Sequence, residues 1–265
     1  MRSMLTAAVA ATLAMVPLCL RAQSTSGDNG NTFDWSGSIP AGSWLHVKNL
    51  NGGIDVERAA GAEASVHGEK SWRRGDPRDV RFVVFKSGSD VTVCALWSED
   101  DTCDEEGYHS HGHHEDHGDV SVHFTVRLPK GVRVDAGTVN GSLDIQGADA
   151  EVVAETVNGR IEAATGHGPV RAHTVNGSIR VRMDELTGDE DLAYSTVNGS
   201  VIAELPAALD ADVEMETVNG SLSSDFPLSV SGRITPKHLR ATIGHGGRRL
   251  RLETVNGSVE LRKLQ

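Results

Sequence analysis

The stretch from Glu99 to Asp119 concentrates the side chains best suited to chemistry. It holds His109, His111, His113, His114 and His117 among Asp100, Asp101, Asp104, Glu105, Glu106, Glu115, Asp116 and Asp119. Imidazole and carboxylate together are ligands for Zn²⁺, Cu²⁺ or Ni²⁺, and short histidine-rich tracts are a metal-binding composition. The acidic residues alone could attract Ca²⁺ with less specificity. The competing reading is a solvated loop between two strands, kept soluble by its charge. A mobile loop does not preorganise four ligands, so divalent metal there is expected to be adventitious, and no cofactor is expected. Cys94 and Cys103 flank the start of this tract. In an exported chain such a pair suggests a disulfide, closing a small loop over residues 96–102. The alternative is a metal pair completed by the nearby histidines.

Other chemical signals are weak. Asn140, Asn176, Asn198, Asn219 and Asn256 each stand in an Asn-Gly-Ser triplet, which formally matches a glycosylation acceptor. Because these triplets recur in a repeat, a sugar on each would block packing, so they read as structural. Gly-x-Ser-x-Gly, phosphate-binding glycine loops and His-Glu-x-x-His are absent. Paired carboxylates such as Glu155 and Glu253 could serve acid/base chemistry. Arginines such as Arg171 and Arg251 interrupt them, and a solvated face is the simpler reading. No catalytic activity is expected.

The elements around these residues are set by a repeat. Thr-Val-Asn-Gly begins at Thr138, Thr156, Thr174, Thr196, Thr217 and Thr254, in steps of 18, 18, 22, 21 and 37 residues. Four residues before each threonine stand Val134, Val152, Val170, Leu192, Val213 and Leu250. Two before stand Ala136, Ala154, Ala172, Tyr194, Met215 and Leu252. Polar residues intervene, which is the period of a strand with one buried face. Five and seven residues after the threonine come further apolar positions, beginning with Leu143 and Ile145. The parity changes across Asn-Gly, so the motif marks a corner between two strands. Glycine permits positive φ there, and asparagine tolerates it.

Two arrangements fit. Asn-Gly is a strong hairpin signal and would give an antiparallel meander. Near-identity of the copies favours a solenoid, in which each corner sits about 4.8 Å above the last and asparagines stack into a hydrogen-bonded ladder. The expected fold is therefore all-β: a repeat β-solenoid or β-roll, like a parallel β-helix, of 18–22-residue coils with an irregular N-terminal β part. Asn140, Asn158, Asn176, Asn198, Asn219 and Asn256 would form the ladder. The 37-residue step reads as two coils, the first a degenerate one over Leu228, Val230, Leu239, Ala241 and Ile243. Leu45, Val47, Asn49, Asn51, Gly52, Ile54 and Val56 fill the same offsets as a divergent first coil. Plainer strands follow at residues 64–66, 80–85, 91–96 and 120–128.

The first 22 residues have Arg2, an apolar run from Leu5 to Leu20, and Ala22 before Gln23. That is the layout of a secretory signal peptide. Its apolar run is 16 residues, short of the roughly 20 a spanning helix needs. Val16-Pro17-Leu18 before Cys19 lacks the small residue that lipidation wants. Residues 23–31 read as a flexible leader and 32–265 as a single domain, with the acidic, histidine-rich loop at 97–119 and the regular coils at 131–265. Cleavage would leave 23 basic and 37 acidic residues, a net charge of −14. That balance disfavours nucleic acid and anionic membrane surfaces, and no later apolar run is long enough to span a bilayer.

Repeated Thr-Val-Asn-Gly-Ser, the segment from Phe124 to Gly131, and Asp225 to Leu228 ahead of the Thr242-Ile243-Gly244 triplet resemble the bacterial DUF4097 proteins. The resemblance covers roughly residues 40–265. It implies an exported, solenoid-like domain of the cell envelope, in the periplasm or on the cell surface. The adhesin label of that family rests largely on architecture and names no ligand, and it brings no catalytic residues. The expected function is a structural or interaction module whose partner is an envelope protein or glycan. The alternatives are a periplasmic metal buffer working through the histidine loop and, remotely, a carbohydrate-active enzyme.

Overall fold

The computed structural model describes residues 25–28, 30–104, 107–109, 119–230 and 235–264. The expected signal peptide lies outside them, as do His111, His113, His114 and His117. Among the described residues the chain is all-β, apart from one turn of 3-10 helix at Pro77–Asp79, and no helix is long and apolar enough to cross a membrane. Two eleven-stranded sheets lie face to face. Each repeat contributes its strand before the corner to one sheet and its strand after the corner to the other. Neighbouring coils pair in parallel and in register, Val134 with Val152 and Val152 with Val170 in one sheet, Leu143 with Ile161 and Ile161 with Ile179 in the other. The apolar residues predicted to face inward form one continuous core, with Val134, Ala136, Leu143, Ile145, Ala154 and Ile161 essentially inaccessible. The repeat is a solenoid, and the hairpin arrangement is excluded by these parallel registers.

The order of coils differs from the order of the chain at both ends. Asn51 lies at the corner between Trp44–Lys48 and Ile54–Arg58. This first coil does not end the stack. It sits between the Asn140 coil and a cap coil made of Asp90–Leu96 and Ser121–Leu128. The 97–119 segment leaves the cap coil where a corner would be. Beyond the cap, Thr32–Ser38 and Glu63–Ser71 add antiparallel strands to one sheet, and Arg81–Ser87 to the other. Thr25–Asp28, expected in a flexible leader, pairs antiparallel with Thr32–Ser38.

At the far end the last coil, Arg249–Asn256 with Val259–Lys263, is inserted between the Asn198 coil and the Asn219 coil. The expected degenerate coil does not form. Val230 is 41% exposed, and His238–Ile243 runs antiparallel to Ala211–Asn219 as the outer neighbour of that strand. The segment has the alternation of a strand but no Asn-Gly corner, so nothing turns it into the second sheet.

The corner glycine is required by crowding. A Cβ built on Gly159 would lie 1.9 Å from the carbonyl oxygen of Gly141, and one on Gly177 would lie 1.9 Å from that of Gly159. Of the motif glycines in the regular coils, Gly141, Gly159, Gly177 and Gly220 do not have positive φ. The turn geometry predicted for them is thus not their reason; the backbone of the adjacent coil occupies the space. Gly159→Ala should therefore destabilise the fold by about 3 kcal/mol or more, measured by chemical denaturation. A loss below about 1 kcal/mol would contradict this packing.

Candidate functional site

Each residue of Thr-Val-Asn-Gly has its own direction. The threonine hydroxyl points inward and donates to the glycine carbonyl of the adjacent coil: Thr156 to Gly141 at 2.9 Å, Thr174 to Gly159 at 3.0 Å, Thr196 to Gly177 at 2.8 Å. The asparagine lies on the surface and donates from Nδ2 to the Oδ1 of the next asparagine. The ladder runs Asn219, Asn256, Asn198, Asn176, Asn158, Asn140, Asn51, with distances of 2.8 to 2.9 Å. It follows the spatial order of coils and takes in Asn51. Asn49, in the threonine place of the first coil, is buried and spans to the carbonyl of Val122 at 2.8 Å. The Val122 carbonyl stands where a corner-glycine carbonyl stands in the other coils, 1.9 Å from a Cβ built on Gly52, and the Asn49 amide also donates to the Gly52 carbonyl of its own coil at 3.0 Å.

The valine is the residue whose direction the sequence left open. It faces solvent: Val157 and Val255 are 38% exposed, Val197 36% and Val218 55%. Beside the asparagines, four residues past the threonine, stand Ser142, Arg160, Ser178, Ser200, Ser258 and Ser221. The corner therefore presents an asparagine row over seven coils, roughly 30 Å at the spacing of paired strands, flanked over six of them by rows of valine and mostly serine; the first coil has Leu50 and Gly53 in those places. Arg160 is the only charge in them. Each ladder asparagine uses one N–H and one lone pair along the row, leaving one of each for a partner.

At the cap end the inserted segment is tied to the body. Cys94 and Cys103 form a disulfide. Asp101 is fully buried, and its Oδ2 accepts from the Tyr108 hydroxyl at 2.7 Å and the Ser98 amide at 3.0 Å. Asp119, where the segment returns, is held at about 2 by amide donors from Arg74 and Arg73. Of the five tract histidines only His109 is described. It lies 3.0 Å from Asp104.

The charged residues gather on the outer faces of the sheets. Glu253 is bound by Arg251, and Glu155 is exposed on the same sheet three strands away. Near the far edge of the sheet Glu214, Glu216 and His238 bring one ligand atom each within 4.8 Å of one another, with Arg240 held on Glu214 at 2.7 Å. Asp135 sits between His46 at 2.8 Å and Lys48 at 2.6 Å. Burial pushes its carboxyl up, and the His46 hydrogen bond and the Lys48 charge more than cancel that, so the net shift is downward.

The parallel coils, the threonine and asparagine ladders and the N-terminal cap account for almost the whole chain, and the toastrack DUF4097 family model matches residues 39–262. The chain belongs to that family. Two solved structures are similar to this toastrack protein. One, provisionally designated a cell adhesion protein, is from Clostridium sporogenes ATCC 15579, with a TM-score of 0.41 and 10% identity over 92% of this chain and 100% of its own. The other, provisionally designated an adhesin, is from Bacteroides fragilis NCTC 9343, with a TM-score of 0.26 and 7% identity over 88% and 97%. No curated protein matches the chain in sequence.

Two outcomes follow for the toastrack coils. Asn176→Asp removes one ladder donor and stacks a charge between Asn158 and Asn198. It should cost on the order of 1–2 kcal/mol in chemical denaturation, and a neutral result would remove the ladder as a source of stability. For Asp135, a depressed folded-state pKa means stability that is present above the unfolded value near 3.9 and lost as pH falls through the folded one. Asp135→Asn should thus cost on the order of 1 kcal/mol at pH 7. That difference from wild type should shrink as both are denatured at progressively lower pH.

Proposed function

We propose that this toastrack protein is an exported module of the cell envelope that binds an envelope protein or glycan through its corner face and catalyses no reaction. The observation that carries this reading is the valine–asparagine–serine surface, in which Arg160 is the single charge, on a chain whose composition is strongly acidic. A rigid strip with one charge and a repeated amide donor and acceptor suits an extended partner that also repeats amide or hydroxyl groups. Its stiffness comes from ladder bonds in every coil, so binding orders little of the protein. The Cys94–Cys103 disulfide supports an oxidising compartment, in agreement with the leader-like first 22 residues. Glu253 is held by Arg251 and Glu214 by Arg240, so both carboxylates are engaged in ion pairs, which supports the non-catalytic reading.

Replacing Val157 and Val197 together by glutamate places two charges in the strip without touching the core. Binding of the purified protein to isolated envelope fractions should fall at least tenfold, with the denaturation midpoint little changed. Undiminished binding by the double variant would move the interaction elsewhere on the molecule.

A further inference from the structure

The inserted coil at the far end is held in a slot between two coils that are neighbours in the chain. The Asn198 and Asn219 coils are joined only by Pro206–Asp210, yet residues 249–263 lie between them in both sheets. Inside the slot Thr254 donates to the Gly199 carbonyl at 2.8 Å and Asn256 to Asn198 at 2.8 Å. Thr217 donates to Gly257 at 2.8 Å and Asn219 to Asn256 at 2.9 Å. Leu252 is fully buried, with Tyr194 and Met215 as its two in-register neighbours. The Asn140, Asn158 and Asn176 coils have alanine at that position. They would leave a void there, so the slot is specific for this coil.

A short hinge leads into the coil. His238–Ile243 lies on the far side of Ala211–Asn219, and residues 244–248 cross over the end of that strand to begin the inserted coil. Gly244, Gly246 and Gly247 have φ of 59°, 75° and 113°, a tight path open to glycine and strained for other residues. Asp210 pins the hinge by accepting from the His245 amide at 2.8 Å, and Asp212 by accepting from the Gly247 amide at 3.2 Å. The hinge ends at Arg248, which is 8% exposed with its Nη1 buried and unpartnered. A cavity of about 540 Å³ lies beside it, lined by residues that include Asp184, Leu209, Asp210 and Gly246. Opening the hinge would release that unpaired donor, at the loss of the bond from Arg248 Nη2 to the Gly188 carbonyl. The equivalent slot at the cap end holds the Asn51 coil, but sheet strands precede and follow that coil, so it is tethered on both sides.

We propose that the slot between the Asn198 and Asn219 coils is an exchange site for a second copy of this chain. Residues 249–263 of one molecule leave on the extended hinge and fill the slot of another. Every bond of the coil is remade in trans, so the only new terms are the hinge and the association itself. Exchange of an identical element between copies is a low-cost route to dimers.

Ser200 and Ser258 face each other across the slot, where the Ser258 amide donates to the Ser200 hydroxyl at 3.2 Å. Full-length Ser200→Cys and Ser258→Cys chains, unfolded together and refolded at high concentration under mild oxidation, should give a disulfide-linked dimer. Either variant alone should not. A chain carrying both substitutions, oxidised as a monomer, should no longer exchange. Gly246→Pro, which forces the hinge open, should raise the dimer fraction of the refolded protein at least threefold by light scattering. Wild type gives a second reading that needs no folded variant, because its refolded dimer should return slowly to monomer on dilution. Wild type that is monomeric at every concentration, or dimers no richer in the mixed cysteine cross-link than the single-variant controls, would overturn the proposal.

Discussion

The contact between a corner glycine and the glycine carbonyl of the next coil sets most of what this chain does. Only a residue without a Cβ lets one backbone come that near another, and once there the carbonyl is within reach of a buried threonine hydroxyl. That hydroxyl would be costly to bury unpaired. Its bond therefore locks the coil spacing at the same point where the two sheets meet. The surface asparagine bond adds a second lock at the same height. Neither bond is strong by itself, and in water each is worth on the order of 1 kcal/mol. Repetition over seven coils makes them a lattice in which a shift of one coil disrupts its neighbours.

This explains how so thin a core suffices. The middle coils have alanine at Ala136, Ala154 and Ala172 and again at Ala163, so little apolar volume separates their sheets. The larger side chains collect at the ends. At the cap, Phe33 stacks on Phe82 with ring centroids 4.7 Å apart, and Phe82 meets Phe124 edge-on at 5.9 Å. Trp97 is buried at the same end, its indole N–H directed at the Val120 carbonyl. At the far end Met183, Tyr194, Met215, Leu250 and Leu252 fill the interior. The end coils are where the chain departs from its simple order. They rely on bulky packing because the identical ladder bonds do not distinguish one neighbour from another.

The same point separates what was legible in the sequence from what was not. The offsets around each threonine predicted the parallel registers residue by residue, including Leu45 with Val134 in the divergent first coil. They could not predict coil order, since every corner has the same bonding groups and Asn256 bonds to Asn198 as well as it would to any other asparagine. Order is set by Leu252 beside Tyr194 and by a glycine hinge, and neither has a periodic signature. The direction of the motif valine was hidden for a related reason. Parity changes within the corner, so alternation assigns that residue to neither face. The histidine tract has composition without periodicity, which describes a loop but not an arrangement of ligands.

The ladders also have a direction, and both ends of the stack respond to it. Every motif threonine, and every ladder asparagine beyond Asn51, donates toward the cap coil, so the cap end has a donor to satisfy and the far end a carbonyl left over. At the cap, Asn49 reaches the Val122 carbonyl in place of the missing corner. At the far end the Gly220 carbonyl, which a further threonine would have used, instead accepts from the Lys237 ammonium. The segment bearing Lys237 then leads into the antiparallel His238–Ile243 strand, which covers one sheet edge. A charge at this acceptor opposes the addition of another apolar corner, because that corner would have to bury or displace an ammonium. End-to-end stacking is thus disfavoured by the same bond that completes the ladder. The toastrack remains a finite body whose repeated valine, asparagine and serine surface lies along its side.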